Sequence, residues 1–268
     1  MANYSAQDVK KLREETDAPM MECKAALDEA DGDFEKAKSI LREKGKAAAA
    51  KRTDRTTAAG VVAVAANADS TVVAGVVVEC ETDFVARNDD FVALVQEIAE
   101  LVRDSETVDV EKLKEITDGA VAKIRENIKV TQHVRITSAT PISTYVHHDR
   151  TKGSIVVSEG PSSEAVRKVA IQIVAFPPDV LKKEDLSQEK LNAEIEIETQ
   201  RAVNEGKDEK LARNIATGRV NKEFIKRAVL LEQPFYLDPS KSVSQYLAEE
   251  AKGTAVTSFT YLAVGQGS

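Results

Sequence analysis

The sequence predicts an α+β fold: three short helices, then a core of two related subdomains that each pair an antiparallel sheet with helices, the second carrying an inserted helical hairpin. Apolar residues recur at helical spacing through residues 1–45. A strand, turn, strand and helix pattern occurs twice, at 60–102 and again at 143–176. A charged stretch between Pro178 and Pro234 has apolar residues at helical spacing on both sides of the turn NEGKD.

Each element has its own warrant. Ser5 with Asp8 makes an N-cap pair, Val9 and Leu12 supply the spacing of a first helix, and TDAP at 16–19 breaks it before MMECKAALDEA resumes. Gly32 separates a third helix with Phe34, Ala37, Ile40 and Leu41. So small a module buries little surface, so apolar residues left on its outside would serve docking. Residues 42–60, rich in alanine and cations without apolar period, read as a helix tail fading into a linker. They form no phosphate loop, because Ile40 stands where the first glycine belongs and Ala47 where a serine or threonine does.

GVVAVAA, the turn NADS and TVVAGVVVEC make a hairpin of branched residues. A helix follows with Phe91, Leu94, Val95, Ile98 and Val102 on one face, then another with Val110, Leu113, Ile116, Val121 and Ile124. STYVHHDRTKGSIVVSEG repeats the hairpin, and SEAVRKVAIQIVAF is a helix stopped by Pro177 and Pro178. Leu191, Ile195, Ala202 and Val203, then Leu211, Ile215, Val220 and Phe224, mark an antiparallel helical hairpin. SVSQYLAEEA is a last helix and TAVTSFTYLAVG a closing strand. The boundaries fall at 1–54 for the helical module and linker, 55–142 for the first core subdomain and 143–182 for the start of the second. The hairpin insertion takes 183–228, and 229–268 completes the second subdomain and forms the carboxy-terminal module.

Composition narrows the function. With 45 acidic against 37 basic residues and a net charge of -8, a phosphate-tracking surface is disfavoured, so no direct nucleic-acid partner is expected. No apolar run approaches the ~20 residues of a membrane span, and the first residues lack the order of a signal peptide, which points to the cytoplasm. Cys23 and Cys80 stand in no metal-ligand spacing and read as buried reduced thiols. Neither a cofactor nor a metal is expected, since the three histidines and two cysteines form no local ligand set. An enzyme would have to rest on His147, His148 and Asp149, but neighbours on a strand point to opposite faces, and no nucleophile motif is present. Asp89 and Asp90 serve the following helix as N-terminal charge.

Pattern alone puts Phe84 in the loop between the valine strand and that helix, where two readings stay open. It is a recognition residue at a loop tip, or it folds back onto the helix as a staple.

TDFVARNDDF closely resembles the T-D-F-V-A-[KR]-N signature of bacterial elongation factor Ts, the nucleotide-exchange factor of the GTPase elongation factor Tu. VKKLREETDAPMMECKAAL resembles that family's ubiquitin-associated-like (UBA-like) amino-terminal module, and RENIKV and QPFYLDPSKSV its later motifs. The resemblance implies a two-subdomain core, an inserted coiled-coil hairpin, and elongation factor Tu as partner, with no nucleotide bound by this chain itself. It implies partner contacts at Thr82, Asp83, Phe84 and Val85, with Phe84 as a wedge that disturbs the GTPase's magnesium and phosphate site. Arg13, Met20 and Met21 match the positions that grip a GTPase helix, and His147 matches a histidine facing a GTPase β-domain, with His148 beside it leaving the match ambiguous by one. Thr16, Asp17, Ala18 and Pro19 depart from the family's T-G-A-G, which stiffens the turn that presents the two methionines. The competing reading from another class is a non-exchanging adaptor or holdase that binds through the helical module.

Overall fold

Ser5 and Asp8 start the first helix, α1 (Ala6–Thr16), by bonding each other. The Asp8 carboxylate accepts from the Ser5 N–H at 2.7 Å, and Ser5 Oγ accepts from the Asp8 N–H at 3.3 Å. These Ser5 hydrogen bonds hold the Asp8 carboxyl below its ordinary range. This is a computed structural model that describes residues 3–16, 18–160 and 164–266. α2 (Met20–Glu29) starts behind Pro19, and α3 (Phe34–Ala50) behind an Asp33 cap. Asp17, part of the turn expected to be stiff, lies outside the described residues. Val9, Leu12, Cys23, Ala26, Leu27, Ala37 and Leu41 share a small core among the three helices.

The described residues divide into two compact units. The first takes the chain up to 65, 74–134 and the end from 263; the second takes 66–73 and 135–262.

β1 (Ala59–Ala66) and β2 (Val72–Cys80), most of whose residues belong to the first unit, form the predicted hairpin, and Val73, Val76, Val77 and Val78 of β2 are buried. A one-turn helix α4 (Asp83–Ala86), then α5 (Asp89–Asp104) and α6 (Val110–Ile124), precede β3 (Lys129–Thr137), and the sheet order is β1-β2-β3. The sequence reading does not anticipate β3, because Gln132 interrupts the alternation of Val130, Val134 and Ile136, and none of its residues is fully buried. Phe91, Val95, Ile98 and Val102 of α5 pack with Val76, Val78, Leu113 and Val121 in one core. Val110, expected on that buried face, is 61% exposed, since it is the first residue of α6 and only the Asp109 cap precedes it.

Cys80 closes β2 inside this core, and burial pushes its thiol up to about 12, with the nearby Glu126 carboxylate adding to the shift. Cys23 is also buried, and its thiol is likewise raised by desolvation. In the native chain at pH 8, both thiols should therefore resist Ellman's reagent and react fully once urea unfolds the protein; one fast native equivalent would refute the burial. An unfolded thiol ionises near its ordinary value while folded Cys80 keeps its proton, so the unfolded state binds fewer protons and stability falls between about pH 9 and 12.

In the second unit, β4 (Ser143–Val146) pairs antiparallel with β5 (Lys152–Glu159), Thr144 opposite Ile155. The helix α7 (Glu164–Ala175) crosses them; Ser163, the first residue of the predicted helix, lies outside the described residues. The hairpin consists of α8 (Gln188–Asn204) and α9 (Glu209–Arg219). Its buried positions are the small residues Ala202, Ala212 and Ala216, whereas Val203 and Leu211, expected to face inward, are exposed. Small side chains let two helix backbones approach closely, and Arg219 ties the pair by donating to Glu205 at 2.8 Å and Glu198 at 3.4 Å. Residues 220–224 then form a π-helical turn leading into α10 (Ile225–Ala228), with Val220, Phe224 and Ile225 buried. A short ribbon, β6 (Pro234–Phe235) with β7 (Asp238–Ser242), precedes α11 (Val243–Glu250) and β8 (Ala255–Ala263). β8 completes the sheet order β4-β5-β8, the closing role expected of the last strand.

Two buried amides hold the QPFY segment. Gln172 Nε2 donates to Gln233 Oε1 at 2.9 Å, and Gln172 Oε1 accepts from the Tyr236 N–H at 2.8 Å. Gln233 Nε2 donates to the carbonyls of Arg227 at 2.8 Å and Phe176 at 3.0 Å, the ends of two helical segments. Gln233→Ala takes a donor from two carbonyls and leaves Gln172 Nε2 only its 3.3 Å bond to the Pro234 carbonyl, and should cost about 3 kcal/mol in urea unfolding, against well under 1 for an exposed glutamine. A loss below about 1 kcal/mol would show that water replaces the amide.

Candidate partner-binding site

The segment around Phe84 is a helical turn rather than a loop. Thr82 caps α4, its Oγ1 accepting from the Val85 N–H at 3.4 Å. Successive residues of a helix turn by about 100°, so only part of a single turn can face the core. Val85 and Ala86 take that part and pack against the first core, which leaves Asp83 and Phe84 outside.

Phe84 is 83% exposed, which excludes the staple reading. It stands at the edge of a groove of about 810 Å³ between α4, α5 and α6, lined by Val85, Leu94, Ile116 and Ile124 and flanked by Lys123. Thr16, the last residue of α1, lines the same groove, so the three-helix module borders it. Exposing a phenylalanine forgoes about 1.5–3 kcal/mol of burial, energy that becomes available when something covers the ring.

The turn is held at both ends. Downstream, Asn88 caps α5 by accepting from the Asp90 N–H at 2.8 Å, and Asp89 and Asp90 lie in the first turn of that helix as expected. Upstream, the Glu126 carboxylate accepts from the N–H groups of Glu81 and Thr82, both at 3.0 Å, and from Thr82 Oγ1 at 2.6 Å. Asn127 donates its N–H to Glu81 at 2.7 Å and its side-chain amide to the Arg55 carbonyl at 2.7 Å. Neither Glu126 nor Asn127 stands out by charge or periodicity. Their place in RENIKV was the one available signal. Asp83 pairs with Arg87 at 3.2 Å on the surface, a pair worth little by itself.

Met20 and Met21, on the first turn of α2, are 44% and 72% exposed, and Arg13 of α1 is exposed too. Adjacent helix positions cannot both point inward, and here both side chains are exposed. The flexible thioether suits an adaptable apolar contact.

His147 belongs to the second unit. It lies just beyond β4, with His148 and Asp149 in the turn to β5, so the opposite-face argument fails. The two imidazoles are 4.3 Å apart between centroids, and Tyr145 OH lies 3.0 Å from His147 Nδ1. Asp149 is spent on the turn: it accepts from the Thr151 N–H and Oγ1, both at 2.9 Å, and the backbone bond leads in holding its carboxyl low. A carboxylate so engaged is poorly placed to orient a catalytic histidine.

Among the described residues no helix is long and apolar enough to cross a membrane, and no three metal-ligating side chains cluster. The model of the family described as elongation factor Ts matches residues 81–266. Elongation factor Ts of Azoarcus sp. (strain BH72) is 40% identical over 100% of this chain and 92% of its own length. Those of Chloroherpeton thalassium, at 40% identity, and Clostridium botulinum, at 38%, each align with 94% of this chain and with 93% and 89% of their own. With a family model over residues 81–266, which include the Phe84 turn, and relatives that also align with the three-helix module, the chain belongs to the elongation factor Ts family and has its role in translation elongation.

Proposed function

We infer that this chain is a guanine-nucleotide exchange factor that binds elongation factor Tu and promotes release of its GDP, acting in the cytoplasm without a nucleotide, metal or cofactor of its own. The observation that supports this most is Phe84: a large apolar ring held in solvent by a turn that is fixed at both ends. Pre-fixing the ring lowers the ordering cost of inserting it into a partner.

The exchange follows from linkage. A factor that binds the nucleotide-free GTPase more tightly than the GDP-bound form weakens GDP binding by the same factor. Phe84, entering near the GTPase's magnesium and phosphate site, favours the empty form. No covalent bond changes, so the chain is not an enzyme in the chemical sense. Thr82, Asp83 and Val85 complete the contact at the turn. Arg13, Met20 and Met21 supply a second contact from residues 1–54, read as a UBA-like docking module, and His147 a third. The hairpin at 183–228 is read as a coiled coil inserted in the second core subdomain.

Stopped-flow release of a fluorescent GDP analogue from elongation factor Tu tests the reading. The observed rate should rise with the concentration of this chain well above spontaneous release. A rate that stays at the spontaneous value at every concentration refutes exchange activity and leaves simple docking.

A further inference from the structure

We propose that Glu126 is a positioning residue for exchange: its carboxylate locks the turn that aims Phe84, although it lies outside the Thr82–Val85 segment. The inference rests on the exchange reading above and names how that site is built.

Glu126 lies between α6 and β3, just after Arg125, which ends α6 in the left-handed conformation at φ 66°. That reversal brings the next side chain back over the start of α4. There one carboxylate takes three donors: Oε2 receives the N–H groups of Glu81 and Thr82, and Oε1 receives the Thr82 hydroxyl. Since its proton goes to Glu126, Thr82 Oγ1 offers its lone pairs to the Val85 N–H, which is the cap of α4. The carboxylate thereby fixes the orientation of the capping hydroxyl. Asn127 and Arg55 brace the same point through the Glu81 carboxylate, at 2.7 Å and 3.3 Å.

A four-residue helix has almost no stability of its own, because nucleation fixes several residues for a single hydrogen bond. Its geometry must come from its ends. Without Glu126 the Glu81 and Thr82 amides turn to water and α4 samples many orientations. Phe84 is then presented correctly for only a fraction of the time, and its effective affinity falls by that fraction.

The test is a double-mutant cycle on GDP release from elongation factor Tu, with Glu126→Ala, Phe84→Ala and the pair, each shown folded by its thermal transition. Glu126→Ala should lower the second-order rate of stimulated release about tenfold, and by less than about twofold when Phe84 is already alanine. Glu126→Gln keeps the shape but places an amide NH2 where donors already point. It should fall between parent and alanine variant, and it serves if the alanine variant does not fold. Hydrogen exchange should quicken at residues 81–88 and stay unchanged in α5.

A loss of equal size with and without Phe84, or none in either folded Glu126 variant, overturns the proposal while leaving exchange by Phe84 intact. No stimulation by the parent chain overturns both.

Discussion

Replacing Phe84 with alanine is expected to reduce stimulated GDP release from elongation factor Tu about 30-fold, the rate equivalent of roughly 2 kcal/mol for losing a central aromatic anchor. The same change should leave the unfolding midpoint almost untouched, because the ring is 83% exposed and covers no part of the core. These two halves together make the test sharp. Most substitutions that damage a protein's activity by this much also weaken its fold, whereas here the ring is held out of the core. A wild-type release rate from the variant would move the wedge to another residue of the turn, and a large fall in stability would mean that the ring packs against the groove in solution.

A large effect on folding, matching that of Gln233→Ala, is expected at Gly160. This residue follows β5 at φ +93°, and a Cβ there would stand 2.1 Å from the carbonyl oxygen of Gly253 and 2.9 Å from its carbon. Both obstacles are backbone, so neither can swing aside. Gly160→Ala adds backbone strain of about 1–2 kcal/mol to overpacking of about 1–3, near 3 kcal/mol in all. Gly206 is the control, with φ +86° and open space around its missing Cβ. Gly206→Ala should cost only the backbone part, about 1 kcal/mol. Urea unfolding of both variants separates the two contributions, and equal losses would show that the close approach of Gly160 to Gly253 relaxes freely.

What the sequence made legible follows the amount of burial. Valine runs in β1 and β2 and the Phe91 to Val102 face of α5 are signals that core packing enforces, and both are found where the pattern puts them. β3 is half-buried along its length, so packing left little mark on its composition. The hairpin helices stand where the pattern puts them, but part of their inward face was misread for a different reason. The spacing names Ala202, which is buried, but adds Val203 and Leu211 and passes over Ala212 and Ala216, small residues that periodicity weighs lightly. At the site, the Thr82 cap was not separable from an ordinary loop by pattern, and Glu126 is distant along the chain from the Thr82 group it serves. The exposure of Phe84 was undecidable from spacing, because a ring turned in and a ring turned out share one sequence.

The π turn at 220–224 has a bearing on how the hairpin tolerates change. A turn closed by i→i+5 bonds holds one residue more than an α turn, so the helix before it and the helix after it are rotated out of phase. The alanine seam of α9, Ala212 and Ala216, answers to α8, while Phe224, Ile225 and Ala228 answer to the cluster with Leu186 and Val229. Excising one residue between 220 and 224 would restore a continuous α-helix and set both stripes to a single phase. One of the two would then have to face water. The extra residue acts as a gearing between two packing surfaces, and insertions or deletions in the hairpin can be absorbed beyond its tip more readily than at its root.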